Sequence, residues 1–132
     1  MQKVLEALTS DLQYDRAMIS FYDPSRQVIT DARILGVSPE IQAFVRTREI
    51  PVTDPLSPEG LVLIQGQPLL VGDVQTVWDR IHPLNQQLAL LTQAKAWIAV
   101  PLKIKDRILG SLTVDRVQAH SMTQDDLELM MT

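Results

Sequence analysis

Ser111, Thr113 and Asp115 recur at every second position, with Leu112 and Val114 between them. In an extended strand successive side chains point to opposite faces, so the two hydroxyls and the carboxylate share one face. The run before it behaves alike: Ile98, Val100 and Leu102 form one face, with Trp97, Ala99 and Pro101 on the reverse. Burying hydroxyls and a carboxylate without partners costs roughly 1–3 kcal/mol each. Water, a loop backbone or a ligand must therefore satisfy them, and a binding site is expected over this face. Asp115 ends its run on the polar side, where it either bonds loop amides or contacts a ligand. Arg116 points the other way and is not placed to neutralise it there.

Few other residues offer chemistry. With no cysteine in the chain, disulfides, thiolate metal sites, thiol nucleophiles and thioether-linked cofactors are excluded. There is no glycine-rich phosphate loop, no histidine pair at metal spacing and no Gly-x-Ser-x-Gly elbow. His82 and His120 are single histidines that offer at most an axial ligand. Glu49, Asp73 and Asp79 meeting Asp115 would give paired carboxylates for acid–base work, but Asp73 and Asp79 read as turn residues. Trp78 and Trp97 offer stacking surfaces, or serve as apolar plugs. The stretch Ser57-Pro58-Glu59-Gly60 opens a helix whose free amides suit an anion, yet Glu59 already occupies the favourable dipole position. No catalytic set emerges, and the expectation is that the chain is not an enzyme and uses no metal.

These side chains have to be positioned by a fold of 132 residues, long enough for a core without staples. Val4, Leu5, Leu8 and Leu12 predict a helix over Gln2–Leu12. Arg16–Tyr22 and Val28–Leu35 read as strands joined at the turn Asp23-Pro24-Ser25. Ser38-Pro39-Glu40 and Ser57-Pro58-Glu59 each combine an N-cap, a first-turn proline and an acid, predicting helices that run to about Arg46 and to Gly66. Arg48–Val52 is a short extended piece, and Pro68–Val71 is a strand. Residues 74–95 form the longest connection, irregular around Trp78, His82 and Pro83, with a helix marked by Leu84, Leu88 and Leu91. Ala96–Leu102 and Ile108–Val114 form a hairpin about the charged tip Lys103–Arg107. Thr123 and Asp126 resemble a capping box for a final helix reaching Thr132. Hairpins early and late, with helices between and at the ends, predict an α+β fold with an antiparallel sheet. The net charge of −4 argues against nucleic acid. No apolar run approaches the ~20 residues needed to span a bilayer. Without a signal peptide, no membrane association and a cytoplasmic location are expected.

Certain stretches also resemble a family. Tyr14-Asp15-Arg16-Ala17-Met18-Ile19 and Phe21-Tyr22-Asp23 resemble the first strand of a GAF domain. Ile50-Pro51, Gly66-Gln67-Pro68 and Val71-Gly72-Asp73-Val74 are similar to its middle. Trp97-Ile98-Ala99-Val100-Pro101-Leu102 and Leu109-Gly110-Ser111-Leu112-Thr113-Val114-Asp115 resemble its closing hairpin, and Asp125-Asp126-Leu127-Glu128-Leu129 its exit helix. The resemblance covers nearly the whole chain, so residues 1–132 are read as one GAF-like domain belonging to a larger bacterial-type signalling protein.

The resemblance implies a central antiparallel sheet of five to six strands. Terminal helices cover one face, and middle helices and loops close a small-molecule pocket on the other. Ile19 and Phe21 would lie beside Leu112 and Val114 under the terminal helices. Ser20, Tyr22, Trp97, Ala99, Ser111, Thr113 and Asp115 are the expected ligand-binding residues, with Met18 on the same side and residues 74–95 as the lid. A covalent bilin and the cysteine chemistry of the family's methionine sulfoxide reductases require a residue this chain lacks. The family's cyclic-nucleotide signature is matched only at Asp126. The cofactor, if there is one, stays unassigned. The implied function is a non-catalytic sensory or regulatory module that binds a small molecule or dimerises to control an attached kinase, cyclase or transcription regulator. The expected partners are a small-molecule ligand, a second copy bound through the terminal helices, and that output domain. The alternative is a structural dimerisation domain with a filled pocket and no ligand.

Overall fold

A computed structural model describes residues 2–131. Six antiparallel strands form one sheet in the order β3-β2-β1-β6-β5-β4. The strands are β1 (Arg16–Asp23), β2 (Val28–Leu35), β3 (Ile50–Pro51), β4 (Leu69–Val71), β5 (Ala96–Ile104) and β6 (Arg107–Arg116). Helices α1 (Gln2–Glu6) and α5 (Gln124–Met131) lie at the ends of the chain. Between the strands come α2 (Pro39–Thr47), α3 (Pro58–Leu63), α4 (Pro83–Thr92) and a 3-10 helix at Val74–Arg80.

The hairpin β5–β6 lies next to β1, and its register sets which residues face together. Ser20 pairs with Ser111, Met18 with Thr113 and Arg16 with Asp115 across β1–β6, while Ala99 faces Thr113 and Trp97 faces Asp115 across β5–β6. Gly110 sits where β6 passes β1 so closely that a Cβ there would overlap the Ser20 carbonyl. The strands run further than the sequence predicts, to Ile104 and from Arg107, because Lys105 adopts a left-handed conformation (φ 56°) and the turn closes on Lys105 and Asp106.

One sheet face is apolar throughout. Ala17, Ile19, Ile98, Val100, Leu112 and Val114 pack against Leu5 and Leu8, with Leu127 and Met130 partly buried beside them. This is the arrangement expected for the terminal helices. Burial of side chains such as Leu5 and Ile98 contributes roughly 1.5–3 kcal/mol each. Tyr14 completes the layer: its hydroxyl donates to Asp126 at 2.8 Å, and the Arg116 guanidinium stacks 4.6 Å from its ring centre. The capping box at the start of α5 is formed, with the Thr123 amide donating to Asp126 Oδ2 (2.8 Å) and the Asp126 amide to Thr123 Oγ1 (3.2 Å). The expected extension of α5 to Thr132 lies outside the described residues.

The first helix departs from expectation. It is α-helical only to Glu6, and Ala7–Asp11 continue as a wider π-helical turn. Here Thr9 and Ser10 donate to the Leu5 and Glu6 carbonyls. Such back-bonding competes with the regular ladder and loosens the turn.

Candidate functional site

The opposite sheet face carries the small and polar side chains, and α2, α3, α4 and the 3-10 helix fold over it. Local sequence sets these elements. Ser38 and Ser57 accept from the Ile41 and Gly60 amides as N-caps. Asp73 caps the 3-10 helix through the Gln75 amide. His82, expected in irregular chain, caps α4 through Nδ1, which accepts from the Leu84 amide at 3.1 Å. The 74–95 connection is therefore more ordered than its composition predicts.

Between this cover and the sheet lies a cavity of about 120 Å³. Ser20, Trp97, Ala99, Ser111, Thr113 and Asp115 all line it, as does Met18. Tyr22 is on the same face but outside the cavity wall. Its hydroxyl donates to the Val52 carbonyl at 3.2 Å, and its ring packs with Ile29, Ile50 and Leu63. The lid contributes Ile81, Asn85, Leu88, Ala89, Thr92 and Ala94. The other acids considered with Asp115 do not join it. Glu49 pairs with Arg26 on the surface at 2.8 Å, Asp73 is the cap described above, and Asp79 is not in the wall. His120 lies 3.7 Å from Asp73 at the exposed end of the sheet.

Four charged residues, Arg16, Asp115, Arg48 and Glu59, define the site's electrostatics, and both arginines were missed from sequence. Arg16 meets Asp115 Oδ1 at 2.6 Å and is itself buried. Burial still pushes the Asp115 carboxyl up to about 6, with the Arg16 charge and hydrogen bond pulling it back and the Asp15 charge adding to the rise. Arg48, also buried, lines the cavity. Its Nη1 donates to the Leu84 carbonyl at 3.2 Å, and the guanidinium lies 5.6 Å from the Phe44 ring centre. Its Nη2 reaches only the Met18 sulfur, at 4.0 Å, and its Nε has no partner. Burial lowers the Arg48 pKa to about 10, with the Glu59 carboxylate drawing it partly back up. The Glu59 carboxylate is engaged elsewhere, accepting from the Asn85 side chain at 2.9 Å and the His82 amide at 3.3 Å.

Both arginines were legible by parity. Arg16 precedes Met18 and Ser20 on the polar face of β1. Arg48 shares its side with Ile50 and Val52, which are 0% and 2% exposed.

The family model for the GAF domain matches residues 1–132. The chain belongs to the GAF family. Among curated proteins no relative matches. Among solved structures, this GAF domain is similar to that of an Acinetobacter phosphoenolpyruvate-protein phosphotransferase, with a TM-score of 0.73 at 14% identity over 97% of this chain and 70% of that one. It is likewise similar to a free methionine-R-sulfoxide reductase from Neisseria meningitidis, solved with its substrate (TM-score 0.73, 19% identity, 97% and 67% coverage). A third is residues 122 to 287 of a methyl-accepting chemotaxis protein (TM-score 0.71, 18% identity, 96% and 77% coverage). The GAF fold thus serves both regulatory and catalytic proteins, and identities this low carry the fold alone. Among the described residues of this GAF domain, no three His, Asp or Glu side chains gather as a metal site, and no helix is long and apolar enough to cross a membrane.

Proposed function

We propose that this GAF domain is a non-catalytic sensory or regulatory module of a larger signalling protein. A small molecule enters the cavity over the polar sheet face, and the terminal helices carry the response to an attached output domain such as a kinase, cyclase or transcription regulator. The observation that supports this reading is the cavity itself, with the polar side chains of two central strands directed into it. A purely structural domain gains nothing from keeping such a space, since voids forfeit packing energy. In this reading Ser20, Ser111, Thr113 and Asp115 contact the ligand and Trp97 walls it, with Tyr22 supporting the neighbouring wall.

A ligand that binds one arrangement of sheet and lid better than another shifts the population of the whole domain. The sheet is thin, so the coupling path is short. Thr113 faces the cavity while its neighbours Leu112 and Val114 touch the layer beneath α1 and α5. The same helices leave Val4 and Met131 exposed, which supports a homodimer through this surface. Thermal-shift screening of small polar metabolites, paired with native mass spectrometry, tests the reading. A saturable stabilisation with one bound molecule per chain is expected. A library without effect, together with a mass equal to the bare chain, would favour the structural dimerisation domain instead.

A further inference from the structure

The guanidinium of Arg48 makes no ion pair among the described residues, although the charge of Glu59 in the same cavity wall reaches it. It is 7% exposed, and no carboxylate lies within ion-pair distance of it among the described residues. Its donors are unevenly used. Nη1 is bonded to the Leu84 carbonyl, whereas Nε is buried without a partner and Nη2 has only a methionine sulfur at 4.0 Å. Nε and Nη2 form the side edge of the guanidinium, whose two parallel N–H bonds match a planar anion. Arg16 turns that edge on a carboxylate: its Nε donates to Asp115 Oδ1 at 2.6 Å, and its Nη2 lies 2.6 Å from the same oxygen without hydrogen-bond geometry. On Arg48 the equivalent edge meets no carboxylate among the described residues, in a side chain that lines the cavity.

We propose that the cavity binds a small planar monoanion, a carboxylate or an oxyanion of similar shape, on the Nε–Nη2 edge of Arg48. This rests on the reading of the cavity as a ligand site and names the class of ligand. Three features favour the assignment. First, Asp115 is already paired with Arg16, and the Glu59 carboxylate, although its charge is felt at Arg48, makes no ion pair with it among the described residues. Second, a cavity of about 120 Å³ approaches the roughly 150 Å³ of an apolar cavity that holds benzene, which suits an anion of a few heavy atoms. Third, Val62, Leu63, Leu69 and Leu88 also line the space, so it accepts a short apolar tail beyond the charged head. The Phe44 ring and the Leu84 carbonyl hold the guanidinium in place, and little ordering remains for the ligand to impose.

The test is calorimetric titration of the full chain in chloride buffer at pH 7.5. The probes are nitrate, formate, acetate, propionate and butyrate, with propionamide as the neutral isostere of propionate. At least one anion is expected to bind 1:1, at least tenfold more tightly than propionamide, and Arg48→Gln is expected to weaken it at least tenfold. Preference for the carboxylates or for nitrate identifies an organic or an inorganic source. Should Arg48→Gln fold poorly, amide chemical shifts of the unaltered protein locate the anion instead. Saturable shifts near Arg48 and Leu84 support the assignment, and their absence overturns it. Propionamide binding as well as propionate overturns the anion assignment and leaves the ligand site standing. Absence of binding by every probe overturns the assignment as well, and the metabolite screen then decides the fate of the wider reading.

Discussion

Arg48 lines the cavity and Arg16 pairs with Asp115 in its wall, and the same substitution should affect the two arginines very unequally. Arg16→Met removes the partner of Asp115 and leaves a desolvated carboxylate, a change that typically costs about 3–5 kcal/mol. Arg48→Met removes a cation that makes no ion pair among the described residues. Its pKa falls from 12.5 to about 10 in the folded chain, which corresponds to roughly 3 kcal/mol spent on keeping the charge there. The substitution relieves that cost and forfeits one charge-assisted hydrogen bond to the Leu84 carbonyl, about 1.5–3 kcal/mol. It also forfeits a ring contact of roughly 0.5–1 kcal/mol with Phe44. The losses and the relief nearly cancel, so the expected net change is within about 1.5 kcal/mol of zero. Urea unfolding at pH 7.5, in buffer free of small carboxylates and nitrate, measures both variants. Equal losses for the two would refute the reasoning, because Arg48 would then already have a counterion inside the protein.

Other consequences follow from the same geometry. The folded-state pKa of Asp115 lies above its unfolded value, so its contribution to stability is fully present below about pH 4 and is lost as pH rises to about 6. Urea unfolding across that window should show the wild type losing stability relative to Asp115→Asn, and a flat difference would contradict this. Tyr14 is raised to about 12 by burial and its bond to Asp126, so absorbance titration should show it ionising about two units above a free tyrosine, and Tyr14→Phe should remove that late step. Gly110→Ala places a methyl group on the Ser20 carbonyl and should cost several kcal/mol in denaturant unfolding, or prevent folding; an unchanged midpoint would show that β1 and β6 can separate. Val4→Asp with Met131→Asp should shift sedimentation toward monomer if the terminal helices form the dimer surface.

The sheet was legible in the sequence because its strands alternate cleanly. Ile98, Val100, Leu112 and Val114 declared one face, and Trp97, Ala99, Thr113 and Asp115 the other. The helix starts were legible because Ser38 and Ser57 precede prolines, and the Thr123–Asp126 box has a side-chain pattern of its own. The π-turn after Glu6 was not, since amphipathic spacing does not report where hydroxyls such as Thr9 bond back. His82 carries no sequence sign of being a cap, because that role depends on which ring nitrogen meets the Leu84 amide. The charged part of the site was the larger omission. Asp115 was read against its chain neighbour Arg116, whereas the partner that matters is Arg16, brought opposite by the β1–β6 register. Arg48 was read only as the first residue of a short extended piece, although its parity with Ile50 and Val52 points it inward.

The central claim is that occupation of the cavity is felt at the terminal helices. Backbone amide shifts followed during titration with the best-binding probe test it most directly. Signals of Ser20 and Thr113 in the cavity and of Leu5 and Leu127 beneath the helices are expected to move together, with one midpoint. Saturable shifts confined to the cavity residues, or no saturable shift at all, would contradict it.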